Sequence, residues 1–249
     1  RVSHAFHDAP PDVVLEGLRL RAVRCGGRVP RAEEVGEGLS VAQALILAEL
    51  RERAGCRSAV GASENHSAFV NSEGRLLTCG ANTSFGIAGL GHGAEDVVAV
   101  PTVVAGLAAV RVASVSVGGR HTLALSEEGM VYSFGGGGHG QLGHGNEEDQ
   151  RTPRAIEALQ GVRVGAVSAG MAHSLVLGVD GLVYSFGLDA QGQLGHGDRG
   201  AQQTPWAIEA LRSVRAVAVS AGVAHSLVLG RGGEVYSFGH WTGGQLDHG

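Results

Sequence analysis

The sequence predicts an all-β protein built from a repeated unit of about 52 residues. The motif Val-Tyr-Ser-Phe-Gly begins at Val131, Val183 and Val235, so successive copies start 52 residues apart. Within each unit, short runs rich in β-branched and aromatic residues alternate with glycine turns, which is typical of short strands. Runs such as Ser-Leu-Val-Leu are apolar on both faces, which favours a position between two neighbouring sheets.

Each unit carries the same elements in the same order. It opens with a proline (Pro101, Pro153 or Pro205) and an apolar segment, followed by a Ser-x-Gly-x-x-His pattern and a second apolar run. A glycine turn, Val-Tyr-Ser-Phe-Gly, a variable loop and Gly-Gln-Leu-Gly-His-Gly complete the unit. In one unit we predict strands over Val162–Ser168, His173–Leu177 and Val183–Phe186.

Six positions that recur with this step are predicted to be structural. We expect the histidines to hydrogen-bond backbone groups at a repeated turn, and the leucines to be buried where adjacent sheets meet. The histidines are His121, His173 and His225, and the leucines are Leu142, Leu194 and Leu246.

These fixed positions resemble the repeat of the regulator-of-chromosome-condensation family, over roughly residues 57–249. The resemblance implies a β-propeller, a fold in which four-stranded blades surround a central axis. Radial blades would give the two-sided apolar runs a neighbour on each face. The glycines would then serve tight turns and close backbone approach.

Residues 1–56 differ from the repeats and are predicted to form a small helical cap over the edge of the first blade. Ser40–Ala54 is the clearest helix in the sequence, with a capping box at Ser40 and Gln43 and a stop at Gly55. The preceding stretch FHDAPPDVVLEGL faintly resembles the start of an F-box, which would imply a ubiquitin-ligase adaptor. We prefer the cap.

The repeats lead us to expect an incomplete arc of about four blades. The first unit is degenerate, with Ser63 and Cys79 at positions where later units have Gly and Phe. The predicted repeats cover residues 57–100, 101–152, 153–204 and 205–249. We also expect an open C-terminal edge beside Tyr236 and Phe238, which favours self-association.

The distribution of charge along the chain indicates which kinds of partner it could bind. Residues 1–57 carry a net charge of +1 and residues 58–249 a net charge of −6, which together give −5. An acidic propeller suits a basic protein surface and disfavours direct nucleic-acid binding. Three unpatterned cysteines and the lack of a membrane-spanning apolar stretch or leader predict an intracellular protein, cytoplasmic or nuclear.

Several motifs that suggest chemistry are explained by the repeat. Histidines one unit apart belong to separate blades, so they cannot converge on a metal ion unless they line the central channel. Two Gly-x-Gly-x-x-Gly matches lack the following helix that a dinucleotide site requires. We find no set of nucleophile, base and orienting group. The sequence therefore predicts no catalytic site, cofactor or metal.

The leading functional interpretation is a non-catalytic scaffold for protein–protein interactions. The resemblance offers guanine-nucleotide exchange on a Ran-type small GTPase as the alternative, although no inserted wedge is visible. Ultraviolet sensing is disfavoured because Gly119 replaces the tryptophan of the Gly-Trp-Arg-His-Thr motif. Only Trp206 and Trp241 are present in the whole sequence.

The variable loops are the predicted binding surface, because a fixed frame with variable loops separates stability from recognition. Trp241 is the candidate aromatic anchor. The candidate binding residues are His139, Glu147, Glu148, Asp149, Asp189, Gln191, Arg199, His240 and Trp241.

Overall fold

The computed structural model describes residues 59–82, 89–197, 200–240, 242 and 246. All of these residues belong to one compact unit. The helical cap predicted over residues 1–56 lies outside the described residues. Within the described part, no helix is long and apolar enough to cross a membrane.

The chain folds into four antiparallel sheets that follow one another in sequence, here called blades 1 to 4. Blade 4 has three strands among the described residues. Blade 1 contains β1 (Val60–Ala62), β2 (His66–Val70), β3 (Leu76–Ala81) and β4 (Val97–Val103), and blade 2 contains β5 (Val112–Val117), β6 (His121–Ser126), β7 (Val131–Gly135) and β8 (Gln150–Ala155). Blade 3 contains β9 (Val164–Ala169), β10 (His173–Gly178), β11 (Val183–Gly187) and β12 (Gln202–Ala207), and blade 4 contains β13 (Ala216–Ala221), β14 (His225–Gly230) and β15 (Val235–Gly239).

The blades are arranged as in a propeller. The first strands β1, β5, β9 and β13 contact one another in series, so they are the innermost strands. In blades 1 to 3 the strands then run outward in chain order. The predicted all-β propeller architecture is thus confirmed, as are the three strands predicted in residues 162–186.

The blades are offset from the predicted repeat bounds. Pro101, Pro153 and Pro205 lie in β4, β8 and β12, so each is in the outermost strand of a blade and not in an opening strand. The physical reason is that proline lacks an N–H group, which an outer edge strand tolerates because its outer side has no ladder to complete.

The second strand of each inner blade is buried on both sides. Every residue of β6 and of β10 is buried, because alternate side chains point to the two neighbouring blades. We call the side toward the next blade along the chain the forward face, and the opposite side the backward face. His121, Leu123 and Leu125 lie on the forward face of blade 2.

Apolar side chains from two blades form each inter-blade core. Between blades 2 and 3, Leu125 and Val131 of blade 2 pack with Val176 and Phe186 of blade 3. Between blades 3 and 4, the equivalent residues are Leu177, Val183, Val228 and Phe238. Burial of these side chains supplies most of the stabilisation between blades.

A buried histidine links each blade to the next through a hydroxyl group. His66 Nε2 lies 2.9 Å from Thr122 Oγ1, His121 Nε2 lies 2.8 Å from Ser174 Oγ, and His173 Nε2 lies 3.0 Å from Ser226 Oγ. The hydroxyl in turn donates to a carbonyl oxygen in the loop of the first blade, that of Gly89, Gln141 or Gln193. The expectation of a backbone partner for these rings is therefore wrong: the partner is a side chain about one unit away.

The hydroxyls fix the tautomer of these histidines. Because each hydroxyl gives its single proton to a carbonyl oxygen, it must accept from Nε2–H of the imidazole. Nδ1 then carries no proton, and Nδ1 of His121 and of His173 is buried without a hydrogen-bond partner. Burial lowers the pKa of His121 to about 3 and that of His66 and His173 to about 4, so the rings are neutral.

Blade 1 makes the same link with a different turn. Ser63 stands at the position of Gly118, and its Oγ lies 3.0 Å from His66 Nδ1. The hydroxyl therefore satisfies the ring nitrogen that stays without a partner in blades 2 and 3. The degenerate first unit keeps the inter-blade contact despite its altered sequence.

Candidate protein-binding face

Two kinds of loop meet at one end of the blades. The turns between the first and second strands and the loops after the third strand lie at the same end, because neighbouring strands are antiparallel. Backbone hydrogen bonds join them: Gly136 N to Arg120 O at 2.8 Å, Leu188 N to Ala172 O at 2.9 Å, and His240 N to Ala224 O at 2.8 Å. We call this end the upper face and the opposite end the lower face.

The four inner turns surround a cavity of about 890 Å³. The residue two positions before the repeated histidine lines it in every blade, and these residues are Glu64, Gly119, Met171 and Val223. Met171 is 48% exposed and Val223 is 68% exposed. The centre of the upper face therefore combines exposed apolar side chains with one carboxylate, Glu64, and one guanidinium, Arg120.

Gly119 cannot be enlarged without moving its neighbour. A Cβ atom at this position would lie 3.0 Å from Met171 Cγ and 3.1 Å from Met171 O. The cavity wall is thus closed by Met171 at the place where the resemblance puts a tryptophan. Trp206 lies elsewhere, on the outer strand β12.

His139 and Gln191 occupy equivalent loops with exposed side chains. The backbone N of His139 donates to Gln141 Oε1 at 2.9 Å, and that of Gln191 donates to Gln193 Oε1 at 2.8 Å. The two acceptors, Gln141 and Gln193, are buried. These glutamines hold the loops from inside and leave the side chains of His139 and Gln191 available to a partner.

The three consecutive acidic residues Glu147, Glu148 and Asp149 differ in their contacts. Asp149 Oδ1 accepts from Gly137 N at 2.7 Å, which ties the two ends of the loop together. Glu147 Oε1 accepts from Gln203 Nε2 of the next blade at 3.1 Å. The Glu148 backbone N donates to Asn146 Oδ1 of its own loop at 3.2 Å. All three side chains are exposed.

Asp189 has a structural position in the third blade. Its Oδ1 accepts from Leu194 N at 2.8 Å, and its Oδ2 is buried without a hydrogen-bond partner. Burial raises the pKa of this carboxyl group. The structure thus places Asp189 inside its loop, whereas the sequence had suggested a binding residue.

The other candidates lie at the edge of the described region or beyond it. His240 is half-buried, with Nε2 3.0 Å from Thr242 Oγ1. Arg199 and Trp241 lie outside the described residues.

A second set of histidines supports the loops. The Nε2 atom of each of these histidines lies 2.8–2.9 Å from a hydroxyl, and that hydroxyl donates to a loop carbonyl oxygen at 2.6 Å. The sets of histidine, hydroxyl and carbonyl are His92, Thr78 and Leu90; His144, Ser133 and Leu142; and His196, Ser185 and Leu194. Leu142, Leu194 and Leu246 are buried. Beside Leu142, a Cβ atom on Gly143 would lie 2.9 Å from Phe186 Cε2 of the next blade, so this loop packs between blades.

The hydroxyl residues and the glutamines that hydrogen-bond these loops were not among the residues predicted from the sequence. Their only signal was recurrence at the 52-residue step, in the Ser of Val-Tyr-Ser-Phe-Gly and the Gln of Gly-Gln-Leu-Gly. Among the described residues, no group of three or more His, Cys, Asp or Glu side chains could hold a metal ion.

The described part of the upper face is acidic. Its carboxylates outnumber its arginines, and Arg151 is already paired with Asp96 at 3.3 Å. The carboxylates are Glu64, Glu95, Asp96, Glu147, Glu148, Asp149 and Asp189, and the arginines are Arg120 and Arg151.

Comparisons with known proteins agree with this architecture. Residues 73–125, 128–177 and 180–229 match the Regulator of chromosome condensation (RCC1) repeat, and residues 112–141 match a second form of it. Human E3 ubiquitin-protein ligase HERC2 is 37% identical over 182 residues, which are 72% of this chain and 4% of HERC2. The ultraviolet-B receptor UVR8 of Arabidopsis thaliana is 39% identical over 158 residues, which are 63% of this chain and 36% of UVR8.

A solved structure shows the same fold. Prp20p from Saccharomyces cerevisiae superposes with a TM-score of 0.63 and 28% identity, covering 74% of this chain and 43% of Prp20p. The chain thus spans less than half the length of these relatives. Because the repeat matches cover more than half of the chain and extend over blades that pack as a propeller, the chain belongs to the Regulator of chromosome condensation (RCC1) repeat family.

Proposed function

We propose that this chain is a non-catalytic protein-binding propeller and that its upper face is the binding surface. The observation that carries the proposal is the arrangement of this face. Exposed carboxylates at Glu147 and Glu148 lie on the same face as an axial cavity that exposed Met171 and Val223 line. An apolar centre with a charged surround is the usual anatomy of a protein interface.

The partner we propose has a basic surface with an apolar side chain at its centre. Acidic groups steer a basic partner and oppose a phosphate backbone, so we expect no direct binding to nucleic acid. Prp20p, a relative, has binding properties toward Gsp1p and histones. That likeness supports a protein partner for this chain.

Charge reversal tests the proposed face. Glu147→Arg combined with Glu148→Arg should abolish retention of partners by the immobilised chain, measured by affinity capture and mass spectrometry. The matched control is Glu128→Arg combined with Glu234→Arg, which changes net charge equally in turns of the lower face. Retained partners that bind the upper-face variant and the control alike would show that the face is wrongly assigned.

Nucleotide exchange on a Ran-type GTPase is a second candidate, favoured by the structural likeness to Prp20p. An exchange factor would accelerate the release of labelled GDP from such a GTPase, and the upper-face variant would lose this effect. A GDP release rate that stays unchanged at saturating chain concentration excludes exchange and leaves the binding proposal standing.

The other relatives suggest roles that we do not adopt for this chain. HERC2 is an E3 ubiquitin-protein ligase, and this chain matches 4% of it, so at most a partner-binding part of such a ligase would correspond. Ultraviolet sensing lacks support because Gly119 stands where the resemblance puts a tryptophan, and a Cβ atom there would already lie 3.0 Å from Met171 Cγ. An intracellular location, cytoplasmic or nuclear, remains a prediction that imaging of a fluorescent fusion would test.

A further inference from the structure

One pair of positions recurs on the lower face of blades 2, 3 and 4. An arginine directly before the first strand lies beside the residue that directly follows the second strand, and the backbone N of that residue donates to the arginine carbonyl oxygen at 2.8–2.9 Å. The pairs are Arg111 and Glu127, Arg163 and Val179, and Arg215 and Arg231. The three sites share one backbone arrangement and differ in a single side chain.

Blade 2 shows which group binds the arginine at this position. Arg111 Nε donates to Glu127 Oε2 at 3.1 Å, so the ligand is a carboxylate. The side chains of Arg111 and Glu127 are 62% and 44% exposed, although blade 3 packs against blade 2. The position therefore faces solvent on the lower face and is not covered by a following blade.

Blade 4 has the arginine of this pair without the carboxylate. Arg231 stands where blade 2 has Glu127, and Arg215 and Arg231 are both exposed. Among the described residues, neither arginine forms an ion pair with a carboxylate. Two guanidinium groups on hydrogen-bonded backbone segments repel each other, so an anion placed between them is attracted by both.

The two arginines line a cavity of about 280 Å³ between the lower ends of blades 3 and 4. Val179 and Asp180, in the turn of blade 3, form the opposite wall. Asp180 Oδ1 accepts from Leu182 N at 3.1 Å, so this carboxylate holds its own turn. The charged groups of the lining therefore sum to +1, and exposed Val179 adds an apolar surface beside them.

We propose that Arg215 and Arg231 form a second binding site, which takes the carboxylate of an acidic peptide segment in a partner protein. The carboxylate occupies the place that Glu127 occupies in blade 2 and accepts from both guanidinium groups. Val179 contacts an apolar side chain next to the acidic residue. The site lies on the lower face, so it is separate from the upper face and takes a ligand of opposite charge.

The surroundings of the site favour an acidic peptide over a nucleic acid. A phosphate backbone is bound by a series of free basic side chains. Other arginines of the lower face are already neutralised, because each forms an ion pair with a glutamate. These pairs are Arg75 with Glu73, Arg111 with Glu127, Arg154 with Glu157, and Arg212 with Glu209.

Nuclear magnetic resonance of the arginine side chains tests the site directly. The whole chain, labelled with ¹⁵N, is titrated with acetylated hexaglutamate at low ionic strength, where exposed charges are least screened. The Nε–H resonances of Arg215 and Arg231 should shift together and saturate, whereas that of Arg163, which faces Val179, should not. The proposal is overturned if neither resonance moves, or if Arg163 shifts as much as the pair does.

Variants of the same two positions supply the second test. Arg231→Glu recreates the ion pair of blade 2, so it should abolish hexaglutamate binding without lowering the melting temperature. Arg231→Gln should weaken binding roughly three- to fivefold, as for an exposed charge pair, and Arg163→Gln is the matched control that should bind normally. Unchanged affinity in folded Arg231→Glu would show that the peptide binds elsewhere.

Asp180 gives a prediction of the opposite sign. Asp180→Asn keeps an Oδ1 acceptor for Leu182 N and removes the one negative charge of the lining, so hexaglutamate should bind roughly two- to fivefold more tightly. Weaker binding would contradict the assignment of this cavity. An oligothymidylate that shifts Arg215 and Arg231 while hexaglutamate does not would overturn the choice of a peptide ligand.

Discussion

The buried histidines act in this protein as neutral hydrogen-bond donors. Each uses Nε2–H to reach a hydroxyl of the following blade, and the hydroxyl passes a hydrogen bond on to a loop carbonyl. A protonated ring would put an uncompensated charge in an apolar interface, which is costly. The links between blades should therefore depend on pH.

Acid should weaken the fold through these rings. Burial lowers the pKa of His121 to about 3 and that of His66 and His173 to about 4, against about 6.5 in an unfolded chain. Below pH 6.5 the unfolded chain binds more protons than the folded chain, so the free energy of unfolding falls as the pH falls toward 4. Above pH 6.5 the stabilising contribution of these neutral rings is fully present.

Denaturant unfolding across this pH range measures the effect. His121→Gln should reduce the slope of unfolding free energy against pH by up to about 1.4 kcal/mol per pH unit. The control is His139→Gln, since the side chain of His139 is exposed. An unchanged slope in the His121 variant would show that this ring does not carry the pH dependence.

Leu194 should be a second sensitive position. It is 0% exposed and lies in the loop that packs against the next blade. Leu194→Ala should lower the free energy of unfolding by about 2–5 kcal/mol, as truncation of a fully buried leucine does. Val179→Ala, at an exposed position, serves as the control, and equal denaturation midpoints for the two variants would refute the role of Leu194.

At the level of elements, the end of the third strand is tightly constrained in each blade. Gly80, Gly135, Gly187 and Gly239 close these strands with φ between 109° and 134°. At Gly187 an added Cβ atom would lie 2.6 Å from Ala172 O and 2.8 Å from His173 Cα. Only glycine fits, because the strand ends against the turn that carries the buried histidine.

Gly187→Ala should therefore destabilise the protein by at least about 1–3 kcal/mol, from the positive φ alone. Gly138→Ala is the matched control, because a Cβ atom there has nothing within 4 Å. Thermal unfolding of the two variants decides the matter. Similar melting temperatures would mean that the strand end relaxes without cost.

For the molecule as a whole, strands with the same sequence motifs are buried to different extents in blades 3 and 4. The strands β10 and β14 share His-Ser-Leu-Val-Leu-Gly, and β11 and β15 share Val-Tyr-Ser-Phe-Gly. In blade 3 these strands are mostly buried, and in blade 4 most of their residues are half-buried. Repeat proteins draw stability from nearest-neighbour interfaces, so the blades should differ in stability.

Hydrogen exchange should reveal this difference at low protein concentration. Peptides from residues 225–239 should exchange faster than those from residues 173–187, and the matching strand sequences remove most of the difference in intrinsic rate. Equal protection at high dilution would mean that the forward face of blade 4 is covered within one chain.

Much of the local architecture of this protein can be predicted from its amino-acid sequence. The 52-residue step, the two-sided apolar runs and the glycine turns predict the strands and their blades, because strand alternation and turn chemistry act over a few residues. The same recurrence identified the histidines and leucines as structural positions. It also drew attention to the loops, although it could not separate Asp189, which holds its loop, from the exposed Glu148.

The contacts across blades depend on the packing of the sheets and could not be predicted from the sequence. The partner of His121 is Ser174, and the proline segment belongs to the preceding blade, because both follow from how each sheet is set against the next. That packing joins groups that lie tens of residues apart in sequence. The acidic loops and the four cavity-lining turns share one face for the same reason: antiparallel strands return each connection to the same end of its blade.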